Sequence, residues 1–213
     1  MLTAQEALDR LREGNQRFVA SLKGNQPLPA KHFELAQSQE PIAIILGCSD
    51  SRVPAEIVFD QGLGDLFVIR VAGNVVAPSQ VGSVEFAASR FGTRLVVVLG
   101  HSRCGAILAT IEELQRPAGN QSRNLAAIVD RVRPSVEGLM KTELRHDLDA
   151  LVHQAVRSNV GVSVDHLRHG SPILEQLIQH DGLLVVGAEY SLETGEVEFF
   201  DLGSGRGCVH HHP

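Results

Sequence analysis

The sequence contains no tryptophan and a single tyrosine, so an aromatic stacking platform has nothing to be built from. It lacks a surplus of positive charge too: nineteen Lys and Arg are outnumbered by twenty-five Asp and Glu, and the basic residues are scattered. A net charge of −6 without a basic stripe argues against nucleic acid or an anionic membrane as a partner. No stretch approaches the roughly eighteen uncharged apolar residues of a membrane-spanning helix. Residues 1–10 lack the basic-then-apolar order of a secretion signal, and the expected location is cytoplasmic. Cysteine is scarce, at three widely spaced residues, an odd number that makes no disulfide framework. In a reducing compartment such thiols are buried, metal-binding or catalytic. Internal repeats and low-complexity tracts are missing as well.

What is present suits one globular core: 213 residues, 43% of them apolar and 21% charged. A helix is predicted from Thr3, where Thr3 and Glu6 fit a capping box and Leu8, Leu11 and Phe18 form an apolar stripe. Pro27 and Pro29 mark residues 25–31 as an extended linker. Residues 1–30 therefore read as an N-terminal helical arm and linker, and residues 31–213 as a single α/β domain. Since the linker can carry the arm away from its own core, the striped helix is expected to pack on a partner subunit.

Residues 42–46, 66–71 and 95–99 are short, nearly continuous aliphatic runs, the pattern of parallel strands buried on both faces. A helical stretch at 79–90 supplies a crossover between the second and third runs. Residues 106–114 read as a helix, and 125–167 as helical with breaks near Pro134 and Gly138. Ser171 and Pro172 open a further helix that reaches about His180. A fourth aliphatic run at 183–186 precedes a hairpin loop at Glu193-Thr194-Gly195 and a last strand at 197–200. The fold class is α/β, a mainly parallel central sheet with an antiparallel edge strand, flanked by helices. Ligands of such sheets sit beyond the carboxyl ends of the strands.

The unusual residues lie there. The first strand runs into Gly47-Cys48-Ser49-Asp50-Ser51-Arg52 and the third into Gly100-His101-Ser102-Arg103-Cys104-Gly105. Cys48, His101 and Cys104 make a Cys₂His set, which leaves the open fourth position a catalytic zinc requires. Two thiolates favour zinc over magnesium or calcium, which prefer oxygen. Asp50 points the same way if strand geometry persists beyond Cys48, as a fourth ligand or as a base beside the metal. His101 and Cys104 alone would be a weak signal, because an isolated cysteine is usually a small buried apolar residue. Their pairing with the Cys48 loop at a second strand end strengthens it. A structural zinc site would show two close Cys/His pairs in a small fold. A nucleotide site would need a glycine-rich loop after the first strand, and residues 47–52 hold one glycine.

The stretch from Cys48 to Val53, followed by Gly100 to Gly105, resembles the signature of the β-class carbonic anhydrases, and Asp65-Leu66-Phe67-Val68-Ile69-Arg70-Val71-Ala72-Gly73-Asn74 is similar to that family's middle motif. The resemblance runs from the N-terminal helix to the final hairpin. It implies a lyase that interconverts carbon dioxide and bicarbonate by attack of zinc-bound hydroxide. It further implies one Zn²⁺ per chain on Cys48, His101 and Cys104, with Asp50 joining the metal only in a closed state. Asp50 and Arg52 match the catalytic dyad, Arg52 holding the carboxylate by paired hydrogen bonds. Gln39, Phe67 and the N–H of Gly105 match substrate contacts, and Phe86 stands where many relatives have Tyr, so a phenolic hydrogen bond is absent. The resemblance also implies a homodimer or a dimer-based tetramer.

In members inhibited by bicarbonate a Trp occupies the position of Ile45, while Arg70 and Tyr190 match the rest of that anion site. The expectation is that Asp50 stays off the metal and that bicarbonate does not inhibit cooperatively. His146, His153, His166 and His169 are expected at the surface, Cys208 as a free thiol, and His210, His211 and His212 as too short a run for a metal site. A carbon disulfide or carbonyl sulfide hydrolase shares this kind of zinc site and stays open. A zinc protein without turnover would have no need of Asp50 and Arg52.

Overall fold

The computed structural model describes residues 2–22, 39–115 and 122–200. The aliphatic runs form β1 (Ala43–Gly47), β2 (Leu66–Arg70), β3 (Leu95–His101) and β4 (Leu184–Tyr190), all parallel, and β5 (Val197–Phe200) runs antiparallel to β4. The sheet order is β2-β1-β3-β4-β5, so β1 and β3 are central and β2 is an edge. Every residue of β1 and β3 is buried, whereas only Leu66 is buried in β2. That is why the central strands carry unbroken aliphatic sequence.

Side chains alternate across the sheet. Ile44, Leu46, Val96 and Val98 face a layer that includes α3 (Pro78–Arg90), α6 (Leu148–His169) and α7 (Pro172–His180). Ile45, Val97 and Leu99 face the other layer, built by α1 (Ala4–Leu22) and α2 (Ala55–Val58). The crossover from β3 to β4 contains α4 (Gly105–Gln115), α5 (Arg123–Val136), short 3₁₀ turns at Leu139–Lys141 and Glu143–His146, then α6 and α7. The long helical region therefore divides at 137–147, and Pro134 lies within the last turn of α5 without ending it.

Two expectations are corrected. The capping box of α1 forms, with the Thr3 N–H donating to Glu6 Oε2 at 2.7 Å and the Glu6 N–H to Thr3 Oγ1 at 3.2 Å. Its stripe does not await a partner subunit: Ala7, Leu8, Leu11 and Phe18 are buried in the same cluster as Ile45, Phe59 and Val97 of their own chain. Strands buried on both faces need a cover on each, and α1 supplies it on this one. The expected linker at 25–31 lies outside the described residues. Asn15, itself buried, fastens α1 in place. Its Nδ2 donates to the carbonyls of Val58 and Gly195 at 3.1 and 3.0 Å, and its Oδ1 accepts from the Val197 N–H at 3.0 Å.

The second correction concerns β3, which continues past Leu99 because its ladder with β4 continues through Gly100↔Glu189 and His101↔Tyr190. Gly100 permits this, since a Cβ there would lie 2.6 Å from Val160 Cγ2 of α6. His101 thus sits on a rigid strand and not in the loop the motif suggested.

Candidate metal centre and active site

Cys48 follows β1, His101 ends β3, and Cys104 precedes the first residue of α4. Their ligand atoms all lie within 4.8 Å of one another, and all three side chains are buried. His101 Nδ1 is 2.9 Å from the Ser102 carbonyl, which places the proton on Nδ1 and leaves Nε2 facing the thiols. That Nε2 is buried without a hydrogen-bond partner. A buried acceptor left bare is costly unless something binds it. Zinc bonds of about 2.3 Å to sulfur and 2.0–2.1 Å to nitrogen fit a triad this tight. Two thiols, one prepared imidazole and no opposing carboxylate pair make a donor set suited to zinc.

Without a metal the two thiols compete for one negative charge. The Cys104 thiol donates to Cys48 and pulls its pKa down, helped by His101 and by the Gly73 N–H 3.3 Å from Cys48 Sγ. The same contact, together with burial, pushes Cys104 up. Burial lowers the imidazole pKa of His101, yet the Cys48 sulfur beside it, with the Ser102 carbonyl and the Asp50 charge, outweighs it, and the net shift is upward.

Gly73 is a functional residue whose role the sequence did not announce. It lies in the turn Ala72–Asn74 with φ +69°, and a Cβ would stand 3.0 Å from Ala106 Cβ and 3.3 Å from Val132 Cγ2. Helix α6 holds this turn through Asn159 Nδ2, which donates to the Gly73 carbonyl at 2.7 Å, and Ser163 Oγ, which donates to the Asn74 carbonyl at 2.9 Å. The one available signal was the glycine within the middle motif.

Asp50 and Arg52 are brought together as expected. Arg52 Nε donates to Asp50 Oδ1 at 2.9 Å and its terminal nitrogen to Oδ2 at 2.7 Å, while the Arg52 backbone N–H adds a bond to Oδ1 at 3.0 Å. These contacts, the Arg52 side chain first, hold the Asp50 carboxyl well below the usual carboxylate range. Oδ2 also lies 3.8 Å from His101 Nε2, so the carboxylate borders the centre while paired with Arg52. Arg70 braces this loop from β2, donating to the carbonyls of Cys48, at 2.9 Å, and Asp50. Ile45 and Tyr190 are buried in the apolar cluster beneath α1.

Gly105 opens α4, where the first N–H groups have no helical partner, and a Cβ there would meet nothing within 4 Å. Space is thus open beside Cys104. Phe67, Phe86 and Gln39 are not at the centre of their own chain. Phe67 pairs in register with Ile44, four residues before Cys48, or about 13 Å away along a strand. It packs with Phe86 and Phe91 at centroid distances of 6.2 and 6.0 Å. Phe86, on α3, is 54% exposed. Gln39 lines a cavity of about 940 Å³ with Glu6, Arg10, Asp65 and Arg94, at the amino ends of the strands and opposite Cys48. Cys208 and the histidines at 210–212 lie outside the described residues.

Fold and site together define an α/β protein with a buried Cys₂His centre at the carboxyl ends of parallel strands. The sequence model of the carbonic anhydrase family matches residues 43–197. The chain is 40% identical over 195 residues to carbonic anhydrase 2 of Mycobacterium tuberculosis, covering 90% of each. It is also 40% identical over 196 residues to a carbonic anhydrase of Mycolicibacterium smegmatis, covering 88% and 89%. Among solved structures, the β-carbonic anhydrase CafA of Aspergillus fumigatus matches with a TM-score of 0.72 at 26% identity, over 90% of this chain and 89% of that one. A Coccomyxa β-carbonic anhydrase in complex with acetazolamide matches with a TM-score of 0.67 at 25% identity, over 90% and 85%. The chain belongs to the β-carbonic anhydrase family.

Proposed function

We propose that this chain catalyses the reversible hydration of carbon dioxide to bicarbonate and a proton, with one zinc ion held by Cys48, His101 and Cys104. The observation that carries the reading is the bare, buried Nε2 of His101, aimed between two buried thiols and bordered by the Asp50 carboxylate. Zinc in this position supplies a Lewis acid that makes water nucleophilic near neutral pH.

The chain's own groups do the rest. Asp50 stays ionised, so it accepts a hydrogen bond from the reacting water and orients its lone pair. Oδ1 already accepts two bonds from Arg52, whereas Oδ2 accepts one and keeps a free lone pair toward the centre. Pairing with Arg52 would hold the carboxylate back from the metal, and Asp50 would become a fourth ligand only in a closed state in which that pair opens. The Gly105 N–H offers a donor to a bicarbonate oxygen. Arg70 is engaged by the loop carbonyls and Ile45 has no donor, which supports a protein without cooperative bicarbonate inhibition.

Gln39, Phe67 and Phe86 lie away from the centre of their own chain, so as substrate contacts they must come from a second copy. A homodimer, or a tetramer made of dimers, meets this need. Support comes from the edge position of β2 and the exposure of Phe86, which lacks a hydroxyl and serves as an apolar wall. Free buried thiols at Cys48 and Cys104 suit a reducing compartment, and we assign the chain to the cytoplasm. The test is zinc analysis with a carbon dioxide hydration assay between about pH 6 and 9. Wild type should carry one zinc per chain and turn over, and Cys104→Ser should lose most of both. Full zinc in that variant, or an inert zinc-loaded wild type, would overturn the reading.

A further inference from the structure

Two residues, Ser102 and Arg103, span the gap between the ligands His101 and Cys104. The Ser102 N–H, the Ser102 hydroxyl and the Arg103 guanidinium turn toward the hairpin between β4 and β5. The Ser102 N–H donates to the Tyr190 carbonyl at 2.9 Å, and Ser102 Oγ accepts from the Leu192 N–H at 3.0 Å. Ser102 Oγ then donates to Glu193 Oε2 at 2.7 Å, and Arg103 Nε meets Glu193 Oε1 at 2.8 Å. One carboxylate therefore grips both residues, one oxygen each. Arg103 has φ +54°, a left-handed conformation that residues other than glycine, Asn and Asp rarely adopt. Such a conformation persists only where its surroundings over-determine it.

We propose that Glu193 is a positioning residue for the metal centre, tying the Ser102–Arg103 turn to the hairpin and so fixing the aim of His101 and its spacing from Cys104. This rests on the zinc reading above. The path to the ligand is short: Glu193 fixes the Ser102 hydroxyl, and the Ser102 carbonyl accepts from His101 Nδ1 at 2.9 Å. A metal-bound histidine whose second nitrogen has a fixed partner keeps its tautomer and ring orientation. Here that partner is a backbone carbonyl, which a carboxylate on another element holds still.

The anchor is itself rigid. Within the hairpin the Ser191 N–H donates to the Glu196 carbonyl and the Gly195 N–H to the Ser191 carbonyl, both at 2.9 Å. Asn15 of α1 then clamps Gly195 and Val197 from behind. Glu193 makes no hydrogen bond to the ligands or the dyad, and only its charge reaches Arg52. Its loss should act on metal retention before it acts on the chemical step.

The experiment measures zinc release to an excess of chelator, and the visible spectrum of the cobalt-substituted protein. It uses wild type, Glu193→Ala, Glu193→Gln, Ser102→Ala and the Ser102→Ala/Glu193→Ala double variant. Outer-shell partners of metal ligands are worth about 10- to 100-fold in affinity, so Glu193→Ala should release zinc at least about 10-fold faster and shift the cobalt bands. Glu193→Gln keeps an oxygen for Ser102 and should recover part of the loss. The double variant should fall short of the summed effects, since both changes break the Ser102 arm while Glu193→Ala alone also frees Arg103. Glu198→Gln, which removes a carboxylate paired with Arg157 elsewhere on the sheet, should release zinc as wild type does. Wild-type release and an unshifted cobalt spectrum in Glu193→Ala, or fully additive effects in the double variant, would overturn the tether alone. If Glu193→Ala does not fold, Ser102→Ala decides, because it removes the hydroxyl that Glu193 holds: release as in wild type with an unshifted spectrum refutes the tether, and faster release supports it. A wild type that takes up no zinc would instead refute the metal centre itself.

Discussion

At the scale of single residues, the Asp50–Arg52 pair keeps a carboxylate ionised beside the Cys₂His centre. Asp50 has a folded-state pKa depressed below that of an unfolded chain, through hydrogen bonds from Arg52 first. The stability this pair contributes is present above the unfolded value of about 3.9 and is lost as pH falls through the folded one. Asp50 is therefore ionised throughout the neutral range, and the wild-type pH–rate profile should show no limb from it. Arg52→Ala removes both side-chain bonds. Hydrogen bonds to charged groups are worth about 1.5–3 kcal/mol net, so kcat/KM should fall about ten- to a hundredfold. Any carboxylate limb in the variant should move up toward the ordinary range. Stopped-flow profiles of both proteins check this, and wild-type rates in Arg52→Ala would remove Arg52 from the mechanism.

At the scale of elements, α1 is an integral wall of the core, and its buried Asn15 side chain joins three segments. Asn15→Ala would strip a partner from the carbonyls of Val58 and Gly195 and from the Val197 N–H. Leaving buried groups unsatisfied costs about 1–3 kcal/mol, so urea denaturation of the variant should show a loss in that range. The hairpin that carries Glu193 should loosen with it. An unchanged denaturation midpoint would mean that water replaces the amide at all three places.

At the scale of the whole molecule, the Cys₂His centre lies at one end of the sheet while Gln39 lies at the other and Phe67 and Phe86 sit along the β2 side. If those three residues contact substrate as proposed, a lone chain would leave the pocket without them. Sedimentation at micromolar concentration should show a dimer or tetramer. Phe86→Asp should shift it toward monomer and cut carbon dioxide hydration at least tenfold while zinc content holds, since burying an unpaired charge is strongly unfavourable. A fully active wild-type monomer would show that the second copy is not needed.

Much of this protein was legible in its sequence, for identifiable physical reasons. Strands β1 and β3 declared themselves because burial on both faces demands aliphatic residues at every position. Cys48, His101 and Cys104 stood out as soft ligands at two strand ends, and Asp50 by lying two residues past Cys48, whereas Arg52 as its partner was implied only by the family resemblance. Other features depended on what the chain meets when folded. The apolar stripe of α1 required a cover without saying which, and only packing against Ile45 and Val97 decided that its own sheet supplies it. The last turn of β3 was hidden because Gly100 and His101 are not aliphatic, and their strand conformation comes from the ladder with β4. Gly73 against Cys48 and Glu193 against Ser102 join residues far apart in the chain. Side-chain chemistry and local periodicity were written into the sequence, whereas contacts between distant segments exist only once the sheet has brought its strand ends together.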